Sequence, residues 1–357
     1  MLKHLVDFND LELHEWDEIY QLCEKIIANP AAYANTCKDK ILATLFYEPS
    51  TRTMLSFQAA MLRLGGQVIG FDNPGTSSVA KGENLKDTIS VVSTYADILV
   101  IRHYNEGAAL AASRYSTKPV INAGDGGHLH PTQTLCDLVT IKKYKDTLEG
   151  LTIGVCGDLL NGRTVHSLLK ALSRYKNNRF YLISTQQLTV PHYIKEILAQ
   201  SGNTFVETSS ITDCIGQLDV LYMTRIQKER FESEKEYEKQ KNVFCLDTSK
   251  MKLAKENLIV LHPLPKVDEI EEQVDFDRRA VYFKQAEYGM YVRMALIIKM
   301  LDNRSIKREM FSGSEHTSKC PNPKCVTAHE KYLPQLFYSK TDKRSAKACK
   351  YCDFNIR

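Results

Sequence analysis

The order of its apolar runs makes this an α/β chain: two doubly wound parallel-sheet domains and a small C-terminal four-cysteine domain. Three observations predict that class. Short β-rich runs alternate with helical patterns over the first 300 residues, the order that builds layered α/β sheets. The length, 357 residues, holds two ordinary domains and a small third. Four of the ten cysteines, Cys320, Cys325, Cys349 and Cys352, crowd into the C-terminal tail.

The elements follow in order. Lys40–Phe46 is an apolar, β-branched run and predicts a strand. Thr53–Leu64 has helical spacing and is stopped by Gly65-Gly66. Strand Gln67–Phe71, helix Leu85–Tyr95, strand Asp97–Ile101, helix Glu106–Tyr115 and strand Pro119–Asn122 continue the alternation. Pro131 opens a helix to Tyr144, as proline suits a first helical turn. Then come strand Leu151–Val155, helix Gly162–Tyr175, strand Arg179–Ser184 and helix Pro191–Ala199. Strands Thr204–Val206, Val220–Met223 and Leu258–Leu261 precede a closing helix, Lys284–Leu301. Phe231–Lys241 is a charged run, a solvated helix or loop. Asn303–Lys319 is polar, with Gly and Ser, and reads as a linker.

Composition narrows the function. Hydrophobic residues make up 43% and charged residues 25%, as in soluble globular proteins. The net charge of +4 gives no argument for nucleic acid. The N-terminus lacks the apolar core of a signal peptide, and Met294–Leu301 is too short to span a bilayer. The expectation is a cytoplasmic protein with no membrane partner and reduced thiols. Cys23, Cys37, Cys136, Cys156, Cys214 and Cys245 stand alone and are expected to act as buried small hydrophobes.

Five polar clusters fall where predicted strands end. Glu48-Pro49-Ser50-Thr51-Arg52-Thr53 lies between a strand and a helix, and so does Gly157–Thr164. Arg102-His103, Thr224-Arg225-Ile226-Gln227 and His262-Pro263-Leu264-Pro265 follow three other strands. Ligands of open α/β sheets bind beyond the carboxyl ends of the strands. Ser50-Thr51-Arg52-Thr53 offers three hydroxyls, a guanidinium and the N–H groups of a helix start, a donor set suited to phosphate. The bland alternative is an ordinary helix N-cap.

Phe46–Thr53 resembles the carbamoyl phosphate signature of the aspartate and ornithine carbamoyltransferases. The resemblance continues through Lys81-Gly82-Glu83, His130-Pro131-Thr132-Gln133, Gly162–His166, Thr224–Arg230 and His262–Ile270, in the family's order. Ornithine enzymes carry a cysteine between the His and Leu of the last motif, where this chain has Pro263. Arg163 and Arg225 suit the two carboxylates of aspartate better than the cationic side chain of ornithine. The resemblance therefore implies carbamoyl transfer from carbamoyl phosphate to L-aspartate, in pyrimidine biosynthesis. Two other readings stand beside it: a different amine acceptor, or a catalytically silent regulatory homologue.

The roles it implies are these. Ser50, Thr51, Arg52 and Thr53 hold the phosphate. Thr53, Arg102 and His130 meet the carbonyl oxygen. Gln133 and the Pro263 and Leu264 carbonyls orient the carbamoyl amide, with a cis Leu264–Pro265 peptide. Arg163, Arg225 and Gln227 bind aspartate. Lys81 and Ser77, or Ser78 in its place, reach into a neighbouring subunit's site, which implies a homotrimer with shared sites. The implied domains are 1–134 with 289–303 for carbamoyl phosphate, 135–288 for aspartate, a linker at 304–319 and a zinc domain at 320–357.

The tail stands on its own chemistry. Cys320 and Cys325 form C-x4-C, and Cys349 and Cys352 form C-x2-C. Two close cysteine pairs on turns suit one structural Zn site with four thiolates. An iron–sulfur cluster and redox thiols are the alternatives. Lys340, Lys343, Arg344, Lys347 and Lys350 invite comparison with a nucleic-acid-binding zinc ribbon, but aromatic interleaving is missing. The words around the cysteines resemble the zinc domain of the aspartate carbamoyltransferase regulatory chain. That chain's nucleotide-binding domain has no room here, so control by ATP or CTP through it is not expected. Whether the zinc domains pack within a trimer or join trimers into a higher assembly stays open.

Overall fold

The computed structural model describes residues 3–76, 78–226, 233, 237, 243–302, 318–339 and 347–356. It divides into two compact units, Met1–Thr132 with Met290–Arg357, and Gln133–Gly289.

The first unit holds four parallel strands, β1 (Ile41–Phe46), β2 (Gln67–Phe71), β3 (Ile98–His103) and β4 (Val120–Asp125), in the order β2-β1-β3-β4. Every residue of β3 and β4 is buried. A strand covered on both faces loses the alternation of an exposed sheet and becomes one apolar run. Each fully buried Ile or Leu there contributes about 1.5–3 kcal/mol. The unit's helices are α1 (Leu13–Ala28), α2 (Thr51–Arg63), α3 (Leu85–Tyr95), α4 (Ala108–Tyr115) and the first two residues of α5 (Pro131–Lys145), the rest of which belongs to the second unit.

The second unit has five parallel strands, β5 (Thr152–Cys156), β6 (Arg179–Ile183), β7 (Thr204–Thr208), β8 (Val220–Met223) and β9 (Ile259–Leu261), in the order β7-β6-β5-β8-β9. Its helices are α6 (Arg163–Leu172), α7 (His192–Gln200), α8 (Thr248–Leu253) and the start of α9 (Tyr282–Leu301). The division between the units falls inside α5 and α9.

Both sheets reverse direction, the first at its second connection (β2 to β3) and the second at its third (β7 to β8). β2 lies on one side of β1 and β3 on the other, and β6 and β8 flank β5 in the same way. Such a reversal leaves an open crevice at the strand ends.

The cysteine tail shares the hydrophobic core of the first unit. It contributes α10 (Val326–His329) and an antiparallel sheet of β10 (Phe337–Ser339), β11 (Lys347–Cys349) and β12 (Asn355–Ile356). Cys325, Val326, Leu333 and Tyr351 pack with Ala108, Ala109 and Ala112 of α4.

Several expectations need correction. α1 and α8 had no counterpart in the sequence reading. α2 begins at Thr51 rather than Thr53, and α4 at Ala108 rather than Glu106. Of the lone cysteines, Cys245 is only partly buried. The charged run at 231–241, except 233 and 237, and linker residues 303–317 lie outside the described residues, as do Lys340, Lys343 and Arg344.

Candidate active site and metal centre

At the first reversal, the end of β1 leads through Glu48-Pro49-Ser50 into α2. Ser50 stands at the N-cap, but its side chain makes no capping bond; its hydroxyl donates to Thr53 Oγ1 at 3.1 Å. The N–H groups of the first turn are therefore not consumed by that hydroxyl, which separates this start from the bland N-cap reading. Thr51 and Arg52 are exposed. In the neighbouring strand, β3, the penultimate residue Arg102 is paired in register with Phe46. Arg102 is buried, and its guanidinium is held by Glu48 Oε2 at 2.7 Å and the Ala123 carbonyl at 3.1 Å. His130 is buried just before α5. The Asp125 carboxylate shapes the preceding loop by accepting from Leu129 N at 3.0 Å.

Lys81 is exposed at the end of a short 3-10 turn, Ser78–Lys81. Ser78 donates to Glu83 Oε2 at 2.5 Å, and bonds from Ser78 and Thr88 hold the Glu83 carboxyl below its usual range. Ser77 lies outside the described residues, as does Gln227.

At the second reversal, β5 leads into Arg163, the first residue of α6, and β8 leads into Arg225. Both arginines are partly buried. Gly157, with φ +120°, allows the end of β5 to approach this corner: a Cβ would lie 2.3 Å from the Thr224 carbonyl oxygen. The turn after β9 is braced by buried groups. His262 Nδ1 accepts from Leu264 N at 2.7 Å, so its Nε2 carries the proton donated to Glu269 Oε1 at 2.7 Å. Burial pushes the Glu269 carboxyl up, but His262 and the Val267 backbone N–H outweigh it and keep it low. Leu264–Pro265 is cis, as the resemblance implies. Gln133 is partly buried and donates to Asp137 Oδ1 at 2.7 Å.

The four tail cysteines form one cluster, with all four sulfurs within 4.8 Å of one another. Cys320 and Cys352 sulfurs are 3.7 Å apart, and Cys325 and Cys349 sulfurs 3.8 Å apart. A tetrahedral ion with metal–sulfur bonds of about 2.3 Å places its sulfurs about 3.8 Å apart, so the residues fit. Burial pushes the Cys320 thiol up, and bonding to Cys325 pushes that of Cys349 up. A divalent cation among the sulfurs reverses that tendency.

The module grips the ends of α3 and β3. Glu106 N donates to the Lys324 carbonyl at 2.8 Å, and Val326 N donates to the Glu106 carbonyl at 2.8 Å. Asn322 Nδ2 donates to Glu106 Oε2 at 2.7 Å. Leu85 N and Lys86 N donate to Glu330 and Tyr332 at 3.2 and 2.9 Å. His128 bridges Asp125 at 3.3 Å and Asp353 at 3.1 Å. Burial pulls His128 down, but those carboxylates outweigh it and raise its pKa to about 10.

Sequence reasoning gave no role to Glu48, Asp137, Glu269, Glu106 or His128. Glu48 and Glu269 sit inside quoted motifs, which was a usable signal. The others act through partners distant in the chain or a turn away.

Residues 3–143 match the carbamoyl-P binding domain of aspartate/ornithine carbamoyltransferases, and residues 149–300 match their Asp/Orn binding domain. Residues 315–357 match the metal binding domain of the aspartate carbamoyltransferase regulatory chain. The aspartate carbamoyltransferase catalytic subunit of Clostridium perfringens is 62% identical over 300 residues, 84% of this chain and 98% of that one. The catalytic subunit of M. jannaschii aspartate transcarbamoylase has a TM-score of 0.80 at 48% identity, covering 85% of this chain and 99% of that one. The Trypanosoma cruzi enzyme, solved with carbamoyl phosphate and aspartate, has a TM-score of 0.79 at 37% identity, covering 84% and 97%. The chain belongs to the aspartate/ornithine carbamoyltransferase family, on the aspartate carbamoyltransferase catalytic-subunit branch, and carries a regulatory-chain metal-binding domain behind it.

Proposed function

We propose that this chain is an aspartate carbamoyltransferase. It transfers the carbamoyl group of carbamoyl phosphate to the α-amino group of L-aspartate and releases phosphate. One observation carries the choice of acceptor: Arg163 and Arg225 follow neighbouring strands β5 and β8 at the sheet reversal. Two guanidinium groups there match a dicarboxylic acid.

In this reading Ser50, Thr51, Arg52 and Thr53 and the N–H groups of α2 hold the phosphate. Thr53, Arg102 and His130 donate to the carbonyl oxygen, where negative charge grows as the amine attacks. Glu48 keeps the Arg102 fork aimed, so little reorganisation is needed at that moment. Gln133 and the Pro263 and Leu264 carbonyls accept from the carbamoyl amide, in the turn closed by Pro265. Arg163, Arg225 and Gln227 bind aspartate, and the departing phosphate takes the amine proton. No protein nucleophile is required.

The metal of the four-cysteine centre is zinc, in a structural role, because four thiolates leave no open position. Lys81 and Ser77 act in a neighbouring subunit's site, which makes the working unit a homotrimer; the exposed position of Lys81 supports this. The expected setting is the cytoplasm.

Two experiments test the proposal. The purified chain, given carbamoyl phosphate and a panel of amines, should carbamoylate L-aspartate and not L-ornithine; the reverse preference sinks the acceptor assignment. Mixing Lys81→Ala subunits with Arg52→Ala subunits should restore activity, because some hybrid sites then hold neither lesion. If no mixture regains activity, the sites are not shared.

A further inference from the structure

We infer that Asp137 and Gln285 are positioning residues that fix Gln133 and the His262–Leu264 turn as hydrogen-bond acceptors, selecting a carbamoyl amide over a methyl group. The inference rests on the carbamoyl transfer proposed above and deepens it.

Asp137 is wholly buried on α5, and Gln285 is 1% exposed on α9. Asp137 Oδ1 accepts from Gln133 Nε2 at 2.7 Å and from Gln285 Nε2 at 2.6 Å. Gln285 Oε1 accepts from His262 N at 2.9 Å. His262 in turn accepts from Leu264 N and donates to Glu269. One buried network therefore joins Gln133 to the turn that carries the Pro263 and Leu264 carbonyls.

The chemistry of the network sets a direction. A carboxylate can only accept, so Gln133 must turn its amino group towards Asp137. Its Oε1 is then presented on the other side, with no freedom to flip. The turn offers backbone carbonyls, which also only accept. An acceptor-only lining suits the two N–H bonds of a carbamoyl group. It gives nothing to the methyl group of acetyl phosphate, which matches carbamoyl phosphate in shape and phosphate charge. A site built around such bonds discriminates strongly against an analogue that lacks them.

The measurement is the ratio of the acetyl phosphate inhibition constant to the carbamoyl phosphate KM, at saturating L-aspartate. Asp137→Ala should lower that ratio about ten-fold, as expected for one lost fixed hydrogen bond. Asp137→Asn keeps an oxygen that both glutamines can share and should hold the ratio within about two-fold of the parent. Gln285→Met loosens the turn and should move the ratio the same way as Asp137→Ala, which keeps the test alive if that variant does not fold. A ratio unchanged in both Asp137→Ala and Gln285→Met, with carbamoyl phosphate and acetyl phosphate weakened equally, overturns the inference and leaves a purely structural role. Failure of the parent protein to carbamoylate aspartate overturns the functional reading instead.

Discussion

The Arg102 guanidinium is held by contacts on both sides. A long side chain with many rotamers is poorly defined on its own, and Glu48 and the Ala123 carbonyl restrict it to one fork orientation. His103, the next residue, is controlled differently. Burial pulls its pKa down from 6.5 to about 3, Asp125 opposes that shift and His329 adds to it, while its Nδ1 accepts from Asn105 N at 2.9 Å. The folded chain therefore keeps His103 neutral where the unfolded chain would protonate it. Its contribution to stability is complete above pH 6.5 and drains away as the pH falls towards 3. His103→Asn, which keeps an acceptor for Asn105 N, should flatten the pH dependence of the urea midpoint between those limits by about one proton. A slope equal to that of the parent would place the proton uptake elsewhere. The residues legible in the sequence were those whose chemistry is local: Ser50–Thr53 at a helix start, and Arg102, Arg163 and Arg225 beyond strand ends. Asp137 was not legible, because a buried aspartate in a helix takes its meaning from Gln285, far along the chain.

Among the elements, core strands were the most readable, since burial on both faces leaves a continuous apolar run. The buried strand β8 matched residue for residue, and so did the largely exposed edge strand β2 and the helix α3. α1 is harder to read from the sequence, although Trp16, Ile19, Cys23 and Ile26 form its buried stripe. It opens after Glu12, whose N–H donates to Glu15 Oε2 at 3.1 Å, rather than after Ser, Thr, Asp or Asn. The strands of the cysteine module are two or three residues long, too short for any period to register. The docking of that module depends on the start of α4. Gly107 has φ +83°, and a Cβ there would lie 2.5 Å from Tyr351 Cβ and 2.6 Å from Tyr351 O. Gly107→Ala therefore combines left-handed backbone strain with a clash against the module's backbone. It should cost at least ~2 kcal/mol in chemical denaturation and raise the reactivity of the four cysteines towards a thiol reagent. Parent-like stability with slow thiol labelling would mean that the α4 contact is dispensable.

For the molecule as a whole, the cysteine module cannot be treated as an appendage. Its sheet and its four-residue helix enclose too little apolar area to fold alone, so metal binding and docking must supply the difference. The dependence runs in both directions. Glu330 and Tyr332 satisfy Leu85 N and Lys86 N at the start of α3, immediately after the segment that carries Lys81. Val326 and Asn322 hold Glu106, a few residues beyond Arg102. Removal of the metal should thus loosen two stretches that flank proposed substrate contacts, although neither stretch binds the metal. Chelation of the intact protein should speed hydrogen–deuterium exchange at residues 85–88 and 106–112 as well as in the module itself. Residues 152–172 of the other unit should be unchanged. Activity should fall without vanishing, because the proposed phosphate cradle on α2 makes none of these docking contacts. If exchange quickens only within 318–356, the module is merely attached, and its metal has no bearing on the rest of the unit.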